Sequence, residues 1–218
     1  MQNHQSGTAE RLADELFLIG HDDFTGKPLA PGNLIDAALA GAVLGELAFA
    51  GRINIDRGEV YVTDDRPWHE PVTDLALAEI VRRGNGYAAR AWLEFMRPHV
   101  REHVGDRLVN GGVVLRETSR GLSLRSTVRW PGVDPNVVAR PRVRLAAVLQ
   151  RSEEPLDVRT ATLASLVRAG GLTKILGLED RSAVERIVAA RRLLPPSLAD
   201  LLTAVDATIS GGPSLARR

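Results

Sequence analysis

Residues 33–50 read NLIDAALAGAVLGELAFA, a helical segment that is apolar on nearly every side. Such a helix must be surrounded by protein or lie in a membrane. Its 18 residues sit near the lower limit for a bilayer span, and Asp36 and Glu46 interrupt it. Gly51 closes it, and an alternating strand begins at once with Arg52. The segment therefore reads as the central helix of a helical domain.

The rest of the chain supplies partners for such a helix. Thr8 can cap a first helix whose apolar positions Leu12, Leu16 and Ile19 share one face, and Gly20 ends it. Residues 52–55 and 59–63 alternate around Asp56–Arg57–Gly58, a hairpin signal. A loop holding Trp68 and His69 leads to helices expected over 72–83 and 87–96, and a third runs from Pro98 to residue 109. A second hairpin is expected from strands 113–117 and 122–128. Its alternation sets arginines on one face, and Trp130–Pro131–Gly132 closes it. Helices follow over 140–150, 157–169, 182–194 and 197–209. The chain has 218 residues, enough for one substantial core. The expectation is a mainly α fold: one globular helical domain over 8–209 with two small β-hairpins. Residues 1–7 read as a disordered start and 210–218 as a flexible tail.

Composition narrows the function classes. Without cysteine there is no disulfide framework, thiolate metal site or cysteine nucleophile. The N-terminus lacks the basic and apolar regions of a secretory signal, so the expected location is cytoplasmic. A net charge of +1 gives no global pull toward nucleic acid. The charge is unevenly spread, however. Residues 56–79 carry seven acids against two arginines, and residues 116–151 carry eight arginines against two acids. The second stretch suggests a basic face for an anionic partner.

Few motifs suggest catalysis. His99–Val100–Arg101–Glu102–His103 matches H-x-x-E-H, and a helix would align the two histidines as a metal pair. A third ligand has no anchored candidate; Glu179 is one possibility by residue type alone. His4, His21 and His69 read as exposed or as local hydrogen bonders. Asp22–Asp23 lacks the further acids of a calcium loop, and no phosphate-binding glycine loop or nucleophile elbow occurs. The expectation is no enzyme, no metal and no cofactor.

In Gly26, the run Leu44–Gly45–Glu46–Leu47–Ala48, Gly51–Arg52 and Asp74–Leu75–Ala76–Leu77, the chain resembles the Golgi phosphoprotein 3 family, including its actinobacterial-type members. The resemblance continues through Trp92–Leu93–Glu94, Val100–Arg101–Glu102, Leu108–Val109, Gly112–Val113 and Asp157–Val158–Arg159, and so covers about residues 10 to 205. It implies a helical peripheral membrane protein that binds phosphatidylinositol 4-phosphate. The family's headgroup pocket uses a tryptophan and three arginines. Aligned without gaps, these positions fall on Pro31, Ala40, Pro98 and Arg101. Only Arg101 is retained, with Arg97 and Lys27 as neighbours able to add charge. A phosphate monoester calls for several converging charged donors, so general attraction to anionic membranes or to proteins is the fuller expectation.

The family's second hairpin serves self-association and membrane contact. Here the corresponding residues are Arg116, Arg120, Leu122, Leu124, Arg125 and Arg129. The partners expected are anionic phospholipid or phosphoinositide headgroups at the inner face of the cell membrane, unidentified proteins, or a second copy of the chain. Two other classes remain as alternatives. The helix at 34–50 followed by a hairpin has the order of a winged-helix nucleic-acid binder, although that helix is apolar and that hairpin acidic. The H-x-x-E-H match alone would make a metallohydrolase.

Overall fold

The apolar segment forms α2, Gly32–Phe49, and every residue from 37 to 47 is buried. The computed structural model describes residues 11–120, 126–150, 155–177 and 181–211. By length and composition α2 could cross a membrane. Instead it packs against α1 (Leu12–Ile19), α3 (Pro71–Arg83), α4 (Ala89–Met96), α5 (Val100–Asn110), α7 (Val158–Ala169) and α9 (Pro196–Ser210). Two glycines permit this crowding. A Cβ at Gly41 would lie 2.6 Å from Val205 of α9, and one at Gly45 would lie 3.0 Å from Leu12 of α1. A helix enclosed in this way cannot enter a nucleic-acid groove, which removes the winged-helix reading.

The first hairpin follows its sequence signal closely. Strands β1 (Ile53–Asp56) and β2 (Glu59–Val62) pair with Asp56 opposite Glu59. Arg57 and Gly58 both have positive φ, as a two-residue type I′ turn requires. A third strand was not expected: Tyr87–Ala88 forms β3 against β2 rather than starting a helix. Gly84 and Gly86, at φ of 91° and 86°, turn the chain into that register.

The second hairpin is displaced from its expected strands. It comprises β4, Glu117–Arg120, and β5, Ser126–Arg129. Residues 113–116 lie outside the ladder, and Val114 makes only an isolated bridge to Gly132. The Leu115 N–H donates to the Pro131 carbonyl, but Pro131 has no N–H to return. A turn was expected at Ser119–Arg120–Gly121, but Ser119 and Arg120 continue β4 in register with Thr127 and Ser126. Gly121 and the start of the expected second strand, with Leu122, Leu124 and Arg125, lie outside the described residues.

Other boundaries moved little. Glu70 caps α3 by accepting from the Val72 and Thr73 N–H groups at 3.3 and 2.7 Å. Asp157 caps α7 through the Thr160 N–H at 2.9 Å. Helix α6, Pro135–Gln150, starts earlier than expected and accommodates Pro141 in its interior. A short 3-10 helix, Thr173–Leu176, was missed, and α8 spans Arg181–Arg191. The buried apolar side chains form one continuous cluster, largely aliphatic as the low aromatic content implies. The Thr8 cap, Glu179 and most of the expected tail fall outside the described residues.

Candidate functional site

Arg101 lies across the start of α2. Its Nε and Nη2 donate to both Asp36 oxygens, at 2.7 and 2.6 Å. A Cβ at Gly32 would stand 2.7 Å from the same Nη2, so a side chain there would push the guanidinium aside. The residue before α2 is Pro31, which provides no side-chain cap. The Leu34 N–H donates to the Pro31 carbonyl at 2.9 Å, so of the first amides those of Gly32 and Asn33 face outward beside a guanidinium, at the positive end of the helix dipole.

The other expected headgroup residues do not converge on this point. Lys27 is exposed and Arg97 is half-buried at the end of α4. Neither is joined to Arg101 by a hydrogen bond or ion pair among the described residues. Pro31 and Pro98 are exposed, whereas Ala40 is fully buried within α2. An arginine at residue 40 would place a charge in the core, so one corner of the family pocket has no counterpart here.

A second cluster joins this loop to the base of the basic hairpin. Trp130 packs edge-on against Phe17, with ring centroids 5.4 Å apart, and against His21 at 5.7 Å. A Cβ at Gly105 would fall 2.6 Å from its indole nitrogen. Gly26, at φ +61°, lies against the Trp130 backbone; its carbonyl accepts from the Trp130 N–H at 3.2 Å. The Gly132 N–H donates to the Asp23 carbonyl at 3.0 Å. His21 is buried rather than exposed and stacks on Phe17; its Nδ1 lies 2.7 Å from the Phe17 carbonyl oxygen. Burial pushes its pKa down to about 4, and the nearby Arg101 charge acts in the same direction. Asp22 closes a local turn through Thr25, and those hydrogen bonds hold its carboxyl below the usual range.

Beyond this anchored base, the hairpin's described arginines are partly committed. Arg116 is ion-paired to Glu102 and to Asp106. Arg129 is half-buried, opposite Glu117 in the ladder, and its Nε makes no hydrogen bond. Arg120 pairs with Ser126 through the ladder. Elsewhere in the basic stretch, Arg142 pairs with Asp23 and Arg144 with Glu15. Arg140 is exposed and makes no ion pair among the described residues. Three of the eight arginines of this stretch, Arg116, Arg142 and Arg144, are therefore met by acids of α5, the loop after α1 and α1.

The H-x-x-E-H residues part company on α5. His99 and His103 stack, with centroids 6.2 Å apart, and line a slot between α3, α4 and α5. Glu102 points instead to Arg116. Among the described residues, no three metal-ligating side chains come together.

One polar constellation was missed. Arg107 of α5 reaches Asp14 at 2.7 Å and Glu70 at 2.8 Å, with Glu46 at 3.8 Å. Arg11 adds a contact to Glu70 at 3.2 Å. Glu46 also accepts from the Ala13 N–H at 2.8 Å. Burial raises the carboxyl pKa of both Asp14 and Glu46, against the lowering effect of Arg107. Acids inside two apolar helices were the available signal, because a buried carboxylate calls for a partner. The network ties α1, α2, α3 and α5 together and borders a groove of about 780 Å³ between α1, α5 and α6.

The family profile described as Golgi phosphoprotein 3 (GPP34) matches residues 12–205. Among curated proteins none matches the chain. The matched span runs from the first residue of α1 into α9, so it contains the central helix, both hairpins and the Arg101 position. A match of this extent supports a role as a non-enzymatic adaptor in general.

Proposed function

The chain belongs to the Golgi phosphoprotein 3 family, and from that premise we propose that it is a peripheral, non-enzymatic adaptor. It meets an anionic membrane surface at the inner face of the cell membrane through its second hairpin. One observation carries this reading. Residues 115–119 and 127 are all exposed, so the β4–β5 ladder has little buried surface of its own, although Val114 and Trp130 root its base in the core. A two-stranded ladder with so little packing is marginal by itself, and contact with a partner would stabilise it. The hairpin segment carries four arginines, Arg116, Arg120, Arg125 and Arg129, which suits anionic lipid at roughly 1 kcal/mol per basic residue near the surface.

Phosphatidylinositol 4-phosphate, implied by the family, would bind only weakly. Arg101 is its one retained pocket residue, and Asp36 already neutralises that guanidinium. The outward amides at the start of α2 favour anions, but three of the four family contacts are missing.

Flotation with neutral, phosphatidylserine-containing and phosphatidylinositol 4-phosphate-containing vesicles tests both statements. Expected are salt-sensitive binding to both anionic kinds and loss of that binding in the Arg120→Glu/Arg125→Glu double variant. Much tighter binding to phosphoinositide vesicles than to charge-matched vesicles would overturn the weak-pocket statement. Unchanged binding of the double variant would remove the hairpin from the reading. Replacing Leu122 or Leu124 with Asp separates membrane insertion from self-association, because only one of the two should be lost.

A further inference from the structure

The slot beside His99 and His103 has no part in the hairpin reading and stands independently of it. It encloses about 330 Å³, within the range of about 300–1,000 Å³ usual for small-molecule sites. Val43 of α2 forms its floor, and Ala76 and Met96 line its sides. Leu75 and Phe95 stand at its lips, 57% and 44% exposed. Arg83 lies over the Phe95 ring at 4.2 Å, so Leu75 is the lip that leaves most apolar surface open to water.

The polar groups are confined to the mouth and differ in availability. Glu79 is taken by Arg82, at 2.8 and 2.6 Å, and by Arg83 at 2.7 Å. Two guanidiniums against one carboxylate leave one net positive charge on the α3 side. On the α5 side, the imidazoles of His99 and His103 make no hydrogen bond or ion pair among the described residues. The mouth therefore offers donors and positive charge without a free carboxylate, above an interior of hydrocarbon.

We propose that this slot binds the chain of a free single-chain amphiphile, a medium-length fatty carboxylate. The carboxylate would rest against His99 and His103, and the chain would lie between Ala76 and Met96 over Val43. The H-x-x-E-H segment then acts in recognition: its two histidines face the ligand, while Glu102 holds Arg116 on another side of α5.

Calorimetric titration of the full chain with sodium dodecanoate below its micelle concentration tests this, with dodecanol as the uncharged control. Saturable one-to-one binding is expected, with dodecanoate tighter than dodecanol by on the order of tenfold. The His99→Leu/His103→Leu variant should still bind dodecanol but lose that preference. Ala76→Trp should fill the slot and abolish binding of both, with circular dichroism reporting whether it folds. Leu75→Gln, an exposed substitution of small structural consequence, should weaken both ligands and decides the matter if Ala76→Trp does not fold. Absence of saturable binding, wild-type affinity in a folded Ala76→Trp, or wild-type affinity in Leu75→Gln would each overturn the proposal. So would a dimer, seen by sedimentation, that Leu75→Gln dissolves and dodecanoate leaves intact; a second copy of the chain would then be the occupant.

Discussion

In the first hairpin, Ile53, Ile55 and Val60 are buried, β3 extends the ladder, and α9 supports its far side. The Ile55 N–H donates to Ser197 Oγ at 2.9 Å, and the Gly58 N–H donates to Asp200 Oδ2 at 3.1 Å. In the second hairpin, the ladder contains only β4 and β5, and its described outer residues are mostly exposed. Both are antiparallel pairs four residues long. The first is part of the domain's core, whereas the second, among the described residues, adds to that core the half-buried Val128 of its ladder and is otherwise anchored at its base. Strand pairing alone thus says little about stability; the surface buried beneath the ladder decides it.

The largest expected effect probes that difference directly. Ile55→Ala should cost about 2–4 kcal/mol, as large-to-small changes in a core do. Val128→Ala, half-buried in the second ladder, should cost under about 1 kcal/mol. Urea denaturation measures both, and equal losses would break the contrast.

A second test concerns the anchored base of the outer hairpin. His21 is neutral in the fold with its pKa lowered to about 4, against an ordinary value of 6.5. Above pH 6.5 it binds no proton in either state. As pH falls from 6.5 to 4 the unfolded chain takes up a proton and the folded chain does not, so stability is lost. The loss approaches about 3 kcal/mol by pH 4. The raised carboxyls of Asp14 and Glu46 act in the opposite sense, favouring the fold as pH falls toward their ordinary range. Comparing the His21→Phe variant with the wild type isolates the histidine: its stability should fall less steeply over pH 6.5–4. Parallel curves would show that His21 does not sense the base of the hairpin.

Smaller effects sharpen the picture further. Gly58→Ala should cost about 1 kcal/mol, because nothing lies within 4 Å of the added Cβ and only the positive φ resists it. A loss several times larger would show that the Asp200 contact also depends on the turn. Arg116→Ala should leave the melting temperature nearly unchanged, since its ion pairs are exposed. It should also alter vesicle binding far less than the Arg120→Glu/Arg125→Glu double variant, because Glu102 and Asp106 already meet its charge. An equal loss would mean that these pairs open at the membrane.

Much of the fold was legible in local signals. The apolar run of α2, the Arg57–Gly58 turn and the helix ends at Gly20 and Gly51 each act within a few residues. Less of the candidate site could be read that way. Arg101 was identified, but its pairing with Asp36 joins residues 65 apart. The charge concentrated over residues 116–151 looked like one basic face. In the fold, Arg116, Arg142 and Arg144 turn to acids on other elements.

By itself, the sequence determined that α2 is buried, that the domain is mainly helical, and that an α2-like helix followed by a hairpin comes early in the chain. Those outcomes follow from hydrophobic periodicity and turn chemistry, which are written locally. Tertiary structure alone decided that Tyr87–Ala88 becomes a strand, that Arg107 gathers Asp14 and Glu70 with Glu46 nearby, and that His99 and His103 share a slot apart from Glu102. Each of these depends on which distant elements meet. A buried charge or an open strand edge takes whatever partner the packing brings within reach.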